Sequence, residues 1–450
     1  MKVTRYVISA IQNDTDINKK FMATLDHFCK LKKAEMILIP TKYLGKLEKA
    51  TWDERYTNRI CDTERNIGKS VKILGDLELL SSLENPCAGF DAVSKGKTIF
   101  VGHPQYYLKS LPRNTSEQPR FLIATGAVTV PNVNSNSKAG KKALQNHTLV
   151  AQYLSIVDEG TPKEELHIRA LCFDGVGFFD VDGYYADKTF KPGVTLEALV
   201  PGDDHVIEID PSVMGNVYTN KNSMVNILKP KIIVHHDTLD CTAITHHAKG
   251  LVVKQNAMEK NGTNDLEKEL TVTCEFVLNT TPAKTKALIV ASNHNEHLDR
   301  WLQDPDSNLD RKNAKLYHWF MYNRMLDENK GKTAFQMYMN HFYPKSLQNV
   351  EFLNRDVPRL IKGIEVHNHG DLSANGGKNG KTFFPKYDHK VIHGHIHSPS
   401  VDKTSYCVGT SSKYKLSYTS GNTSWNHTVC LIYANGERQL VHILNNKWFV

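Results

Sequence analysis

Five short apolar runs in the second half of the chain each end at, or close to, residues that can bind a metal ion. The runs and the polar residues after them are 196–200 before Asp203 and His205, 231–234 before Asp237, 287–291 before Asn293 and His294, 361–366 before His367 and His369, and 391–392 before His393, His395 and His397. Apolar runs of this length are typical of buried β-strands. Open α/β sheets place their sites at the carboxyl ends of the strands. The pattern therefore predicts that these side chains meet at one edge of a sheet.

The first half of the chain predicts an α/β layer with little chemistry of its own. It opens as strand 6–11, helix 18–33 and strand 36–40, an order typical of α/β folds. Further strands are predicted over 98–101, 121–129, 149–157, 166–172 and 176–181. Residues 131–146 are rich in Asn, Ser, Gly and Lys and predict an exposed loop. We place a boundary near residue 195, between an N-terminal α/β domain (1–195) of unknown role and a second domain (196–450).

Composition excludes several classes of protein. The chain of 450 residues is 40% hydrophobic and 23% charged, which is typical of a soluble globular protein. It has no apolar run of the ~20 residues that a membrane span needs, and its first residues carry no secretory signal. The eight cysteines form no Cys-x-x-Cys pair, so we expect free thiols in a reducing cytoplasm. The net charge of +8 is compatible with a polyanionic partner without requiring one.

The ligand types point to a catalytic transition-metal site. Carboxylate, imidazole and amide oxygen together suit Mn, Fe or Zn better than Ca. In His393-Gly394-His395-Ile396-His397, the glycine permits a tight turn that lets two imidazoles converge. Each residue alone also has an ordinary structural interpretation. A single histidine is more often a core residue with satisfied hydrogen bonds than a metal ligand. The alternative interpretation of Asp237 is a helix N-cap.

The ordered set of motifs resembles the calcineurin-like metallophosphoesterases, over about residues 195–435. That family carries Asp-x-His, Gly-Asp, Gly-Asn-His-Asp/Glu, His and Gly-His-x-His in this order. More narrowly, the chain resembles the host-DNA-degrading nucleases and exonucleases of tailed phages, and more distantly the exonucleases of double-strand-break repair. The segments that carry the narrower resemblance are 292–294 with 300–302, 369–371 with 375–376, and 408–412 through 424–425.

The resemblance implies a two-sheet sandwich flanked by helices over 196–450 and a site for two divalent ions. Asp203, His205 and His397 would bind the first ion, and Asp237 would bridge both ions. His294 would be the catalytic histidine, close to the scissile phosphate rather than on a metal.

The second ion would be bound by Asn293, His395 and one histidine of the His367/His369 pair. We favour His369, because the phage relatives carry His-Gly-Asp at that point, and His367 stays open. Manganese is the expected metal, with Mg, Fe and Zn as alternatives.

The chain departs from the family pattern at two points. His236 stands where the family has a glycine before the bridging aspartate, and Asn295 stands where it has the acid that orients the catalytic histidine. Glu296 follows one position later, and whether either residue orients His294 stays open. Candidates for hydrogen bonds to ligand imidazoles are Asp204, Asp240, His246, His247 and Asp371, each with a surface or capping role as the alternative.

Three further residues have two interpretations each. Arg300 is a candidate for phosphate binding or for a structural ion pair. Trp301 and Trp425 could stack on bases, but a place in the core is the first expectation for both.

The predicted function is therefore a metal-dependent DNase that hydrolyses phosphodiester bonds and degrades host DNA for a phage in the bacterial cytoplasm. DNA is the expected partner, no membrane is expected, and a homo-oligomer is possible. A phosphatase or nucleotide phosphodiesterase on the same scaffold is the alternative enzyme. A non-enzymatic binding module is the third class, and two metals with a nearby histidine argue against it. Endonuclease and exonuclease action both stay open.

Overall fold

The computed structural model describes residues 2–42, 52–245, 248–378, 380–416 and 419–448. Its strands, numbered in chain order, are β1 (Val3–Gln12), β2 (Glu35–Thr41), β3 (Glu64–Ile67), β4 (Val71–Leu74), β5 (Thr98–Val101), β6 (Tyr106–Ser110), β7 (Phe121–Thr125), β8 (Val150–Val157), β9 (Glu165–Cys172), β10 (Phe178–Asp180), β11 (Gly183–Ala186), β12 (Thr189–Pro192), β13 (Ala198–Val200), β14 (Ile232–His235), β15 (Lys286–Ile289), β16 (Val350–Phe352), β17 (Leu360–Ile361), β18 (Ile364–Glu365), β19 (Val391–His393), β20 (Ser400–Asp402), β21 (Ser405–Cys407), β22 (Thr428–Ile432) and β23 (Arg438–His442). Its α-helices are α1 (Lys19–Lys32), α2 (Lys138–Asn146), α3 (Pro211–Val213), α4 (Met224–Leu228), α5 (Val252–Asn261), α6 (Leu266–Thr280), α7 (His297–Gln303), α8 (Ala314–Arg324), α9 (Ala334–Phe342) and α10 (Gly380–Phe383). The mixture confirms the predicted α/β class.

The opening β-α-β unit is confirmed. Asn18 caps α1, since its side-chain oxygen accepts a hydrogen bond from the backbone N–H of Phe21 at 3.0 Å. Phe21, Leu25 and Phe28 are spaced to share one helix face, and all three are buried. The strands β1 and β2 on either side of the helix pair in parallel. This unit belongs to a four-stranded sheet of order β2-β1-β8-β9.

Two larger sheets contain the strands that precede the candidate metal ligands. The six-stranded sheet has the order β16-β15-β14-β13-β22-β23, and its strands β13 to β16 are parallel neighbours. The ten-stranded sheet has the order β17-β18-β19-β21-β20-β6-β7-β5-β4-β3. In this sheet β20 pairs with β6 in antiparallel register, so residues from both halves of the chain form one sheet. The boundary near residue 195 stays a prediction.

Alternation along the central strands explains how the layers pack. Ala198 and Val200 of β13 lie in a core shared with the four-stranded and ten-stranded sheets, where they meet residues such as Phe100 and Ile392. Leu199 points the other way, into a core formed with helices that include α6 and α9. The six-stranded sheet is therefore covered by the four-stranded and ten-stranded sheets on one face and by helices on the other. Among the helices of the described ranges, none is long and apolar enough to cross a membrane.

Two local predictions are wrong. The loop predicted over 131–146 contains helix α2 in its second half. The Ser137 hydroxyl accepts a hydrogen bond from the backbone N–H of Gly140 at 2.9 Å, and this N-cap outweighs the low helix propensity of the glycine. The strand predicted over 361–366 is a hairpin of β17 and β18. Lys362 and Gly363 both have positive φ, 52° and 76°, which reverses the chain between them.

Candidate metal centre

The carboxyl ends of strands from both large sheets meet at one place. The parallel strands β13, β14 and β15 lead into the segments that carry Asp203, Asp237 and Asn293. The parallel strands β18 and β19 of the other sheet lead into His369 and His395. The predicted ligands therefore reach the site from two sheets rather than from one edge of a single sheet.

One group of buried ligand atoms comprises Asp203, His205, Asp237 and His397, whose atoms all lie within 4.8 Å of one another. The Nε2 atom of His397 lies 3.0 Å from Asp203 Oδ2 and 3.0 Å from His205 Nε2. His205 Nε2 lies 4.0 Å from Asp237 Oδ2. These residues are the set assigned to the first ion together with the assigned bridging aspartate.

A second group comprises Asp237, His369 and His395, again within 4.8 Å of one another. Asp237 Oδ2 lies 2.9 Å from His369 Nε2. His367 is turned towards Glu365, with His367 Nδ1 at 3.3 Å from Glu365 Oε1. The structure thus places His369, and not His367, beside Asp237, and Asp237 is common to both groups.

The side chain of Asn293 presents a buried oxygen atom. Its side-chain Oδ1 atom is buried and makes no hydrogen bond with any described residue. Its backbone carbonyl accepts a hydrogen bond from Arg300 Nη2 at 2.6 Å. The structure therefore shows Arg300 in a contact that holds the Asn293 segment.

The backbone of four candidate ligands is strained. His205, Asp237, His395 and His397 have φ values of 43°, 42°, 72° and 60°, a region that non-glycine residues seldom adopt. Such conformations cost of order 1–3 kcal/mol each and persist where the surrounding structure over-determines them, often at functional sites. Gly394 is required for a different reason, because a Cβ atom there would lie 2.0 Å from Asp203 Oδ1.

The two aspartates are held in the ionised state. Burial would raise the pKa of Asp203, but the charge of His369 and the hydrogen bond from His397 outweigh burial and lower this pKa to about 2. Burial opposes ionisation of Asp237 in the same way, and His369 and His294 lower its pKa well below the ordinary value. The centre therefore holds two buried carboxylate charges that need positive charge beside them, which a bound cation would supply.

Asp240 connects a candidate ligand with the candidate catalytic histidine. Its Oδ1 atom lies 2.5 Å from His205 Nδ1 and 3.8 Å from His294 Nδ1. Burial would lower the pKa of His205, but the charge of Asp240 and its hydrogen bond outweigh burial and raise this pKa to about 10. The ring of His294 also packs edge-to-face on His205, with ring centroids 4.9 Å apart. Asp240 was among the candidates for hydrogen bonds to ligand imidazoles, and it is the carboxylate that the structure places beside His294.

The two residues considered for orienting His294 make other contacts. Asn295 accepts a hydrogen bond from the backbone N–H of Leu239 at 2.9 Å and donates one to the carbonyl of Val290 at 3.1 Å. Asn295 thus ties the segment after β14 to the segment after β15. Glu296 accepts a hydrogen bond from Arg355 Nε at 2.5 Å.

Arg355 was not identified from the sequence. Besides its contact with Glu296, it donates two hydrogen bonds of 2.9 Å to the two carboxylate oxygens of Asp371. Glu296 lies three residues after Asn293, and Asp371 lies two residues after His369. The guanidinium therefore joins the two segments that carry candidate ligands of the second ion. An arginine in a loop after an edge strand gives no sequence signal for this role.

Other buried polar residues make hydrogen bonds or close contacts around the centre. Asp204 accepts a hydrogen bond from the Tyr218 hydroxyl at 2.9 Å, and its other oxygen lies 2.7 Å from His235 Nδ1. His236 Nδ1 lies 3.4 Å from His369 Nδ1, so the residue that replaces the family glycine contacts a candidate ligand. His246 and His247, two further candidates, lie outside the described residues.

The centre fits divalent cations. Ligand atoms that share one ion with bonds of about 2.1 Å lie about 3.0 Å apart in octahedral geometry and about 3.4 Å apart in tetrahedral geometry. Three of the contacts above are 2.9–3.0 Å. One oxygen each of Asp203, Asp237 and Asn293 is buried without a hydrogen-bond partner among the described residues. Buried polar groups are normally satisfied, and a cation would satisfy these. The buried Asp and His residues could therefore hold metal ions.

Comparison with curated proteins finds Protein A1 of Escherichia phage T5. It is 25% identical over 472 aligned residues, which cover 99% of this chain and 83% of Protein A1. No protein-family model and no solved structure matches the chain. The chain is therefore similar to a phage protein along almost its whole length.

Proposed function

We propose that the protein is a metal-dependent DNase that hydrolyses phosphodiester bonds at a site for two divalent ions. The observation that carries this proposal is that two groups of ligand atoms share one aspartate, Asp237. Two ions held by a common carboxylate are the arrangement used for phosphoester hydrolysis. The family resemblance of the motifs supports the same reaction class.

The ligands would divide between the two ions as their positions indicate. Asp203, His205 and His397 would hold one ion with Asp237, and Asn293, His369 and His395 would hold the other with Asp237. When bound, two such ions acidify water and neutralise charge on the phosphate. Manganese suits this mixture of carboxylate, imidazole and amide ligands, and so do Fe and Zn.

His294 would act on the substrate rather than bind metal. Asp240 lies on the Nδ1 side of its ring, and this favours a proton on Nδ1. The Nε2 atom is then free to accept a proton or, when protonated, to donate one to the leaving oxygen of the phosphodiester. The protein's part in the reaction is to hold this imidazole in position next to the ligand cluster.

The choice of DNA as substrate rests on three observations. The motif details resemble phage nucleases, the chain is similar to a phage protein over 99% of its length, and its net charge is +8. A phage protein of this kind would degrade host DNA in the bacterial cytoplasm.

Digestion of linear and closed-circular duplex DNA by the purified protein with added Mn tests the proposal. We expect the wild-type protein to degrade DNA only when metal is present. The Asp237→Ala variant should not degrade DNA and should retain less bound Mn after dialysis. Asp388→Ala is the matched control, because the side chain of Asp388 is 95% exposed. Cutting of the closed circle would show endonuclease action. If neither DNA is cut while a small phosphomonoester is hydrolysed, the protein is a phosphatase on this scaffold.

A further inference from the structure

Two clefts are each lined by a residue whose ring packs on a residue of the candidate site. The larger, about 1010 Å³, is lined by His297 and Arg300, and the ring of His297 lies 5.2 Å from that of His294. The smaller, about 390 Å³, is lined by residues 414–415 and 419–425. The ring of Trp425 lies edge-to-face on the ligand His397, with centroids 4.2 Å apart. Each cleft is therefore separated from a residue of the candidate site by a single aromatic side chain, His297 in the larger cleft and Trp425 in the smaller one.

Charge distinguishes the two clefts as paths for a polyanion. Besides His297, the larger cleft is lined by two cationic side chains against four acidic ones, namely Lys249 and Arg300 against Glu259, Asp304, Asp306 and Asp310. Both Asp304 and Asp306 lie within ion-pair distance of Lys249, so little positive charge is left there. The smaller cleft has the exposed Lys415 and no acidic residue among its described lining residues. A nucleic-acid strand is repelled less from the smaller cleft.

Trp425 is placed for a ligand rather than for the core. Trp301, the other tryptophan considered for stacking, packs against the core between the six-stranded sheet and its helices. Trp425 is half-buried and belongs to none of the hydrophobic clusters formed by the described residues. The structural interpretation therefore holds for Trp301 and not for Trp425.

The N-terminal half of the chain holds Trp425 in position through its backbone. The buried Arg113 donates a hydrogen bond from Nη2 to the carbonyl of Trp425 at 3.1 Å. The backbones of Arg113 and Thr423 exchange hydrogen bonds of 2.9 and 2.8 Å. The Arg113 guanidinium also lies over the ring of Tyr414, 4.8 Å from its centroid. Because these contacts fix the backbone and not the indole, the ring can be ordered in advance and still contact a ligand.

We propose that the cleft lined by residues 414–415 and 419–425 is a nucleobase subsite, in which Trp425 stacks on the base next to the scissile phosphate and Lys415 attracts the neighbouring phosphate. The inference rests on the proposed nuclease function and adds what the site recognises beyond a phosphodiester. Stacking on an aromatic ring tolerates every base, so the subsite would favour nucleic acid without reading its sequence.

The test compares two oligonucleotides of equal length and charge with the Mn-loaded protein. One carries normal bases, and the other carries abasic tetrahydrofuran residues on both sides of the cleaved bond. For Trp425→Leu we expect kcat/KM on the normal oligonucleotide to fall roughly 5- to 150-fold, with less than about a twofold change on the abasic one. Trp425→Phe should restore part of the activity. Trp319→Leu is the matched control, since Trp319 is a half-buried tryptophan on α8.

Each other result overturns the inference in a distinct way. Equal losses on both oligonucleotides, with less bound Mn, would show that Trp425 only supports His397. No loss on either oligonucleotide would show that no base stacks there. If the wild-type protein cleaves neither oligonucleotide but hydrolyses a phosphomonoester, the proposed nuclease function itself is wrong, and the subsite fails with it.

Discussion

At the scale of single residues, the proposed site contains one histidine, His294, that we assign to catalysis and not to metal binding. His294 lies beside Asp240 and His205, with which it forms a separate group of possible ligand atoms, and it is outside the two groups that share Asp237. We expect His294→Ala to lower kcat by roughly 10²- to 10⁴-fold, the usual contribution of a general acid or base. Bound Mn, measured on the dialysed protein, should stay unchanged. The exposed His318→Ala is the control, and loss of metal from His294→Ala would instead make His294 a ligand.

The contacts of Arg355 lead to a second prediction for a single residue. Removing its guanidinium leaves Glu296 and Asp371 unpaired and releases the two segments that carry Asn293 and His369. We expect Arg355→Met to weaken binding of one Mn ion by roughly 10- to 100-fold, as for other residues that position ligands.

Arg359→Met is the matched control. The Arg359 guanidinium reaches Glu351 at 3.5 Å, and it is the backbone N–H of Arg359 that contacts His367 Nδ1, so the substitution leaves that contact in place. Titration calorimetry with Mn should show one weakened site in the Arg355 variant and two unchanged sites in the control. Wild-type affinity for both ions in the Arg355 variant would contradict the positioning role.

The sequence predicted the candidate ligands because each follows one of the predicted strands. Asp203, Asp237 and Asn293 can be recognised from the few residues before them, because each comes shortly after an apolar strand. Parallel pairing of these strands is enough to bring the three side chains together. Arg355 has no such signal, because its partners lie 59 and 16 residues away. The choice between His367 and His369 also depends on which way a loop turns, and spacing in the sequence does not determine that.

At the scale of elements, helix α2 depends on its cap. The helix is only nine residues long and contains Gly140, so it has little intrinsic stability. We expect Ser137→Ala to destabilise α2 by about 1 kcal/mol, because the hydrogen bond to the Gly140 N–H is lost. Hydrogen exchange of residues 138–146 should become several-fold faster. Exchange should not change in Ser135→Ala, and equal exchange in both variants would refute the capping role.

The two errors at this scale have physical causes. In α2 a single capping serine outweighs a composition typical of loops. In the β17–β18 hairpin, Lys362 takes the left-handed conformation without being a glycine, so a continuous apolar pattern hides a turn. Elements defined by long periodic runs, such as α1 and β8, were predicted to within a residue or two at each end.

At the scale of the whole molecule, Glu164 joins two sheets. Its carboxylate accepts hydrogen bonds from the backbone N–H groups of Lys69 and Ser70, in the β3–β4 turn, and of Gly160, in the β8–β9 turn. Burial would raise the pKa of Glu164, but these hydrogen bonds outweigh it and lower the pKa. Its ionised form therefore stabilises the fold above the unfolded-state pKa of about 4.3, and this stability is lost as the pH falls through the folded-state pKa.

We expect Glu164→Gln to lower the melting temperature by a few degrees at pH 7, because hydrogen bonds to a charged acceptor contribute about 1.5–3 kcal/mol. The difference between variant and wild type should shrink as the pH falls below about 4. Glu159→Gln, in the same turn, is the control. A difference that does not depend on pH would show that the charge of Glu164 is not what joins the sheets.

The pairing of β6 with β20 has a consequence for the nascent protein. Ser110 on β6 meets the carbonyl of Pro399, 289 residues later. At about 5–20 residues per second, a ribosome needs roughly 15–60 s to supply that partner. During this interval the hydrogen-bonding edge of β6 is open, and open edges pair readily with other chains. Slow elongation should therefore increase aggregation of this protein, and chaperones that shield strand edges should raise its yield.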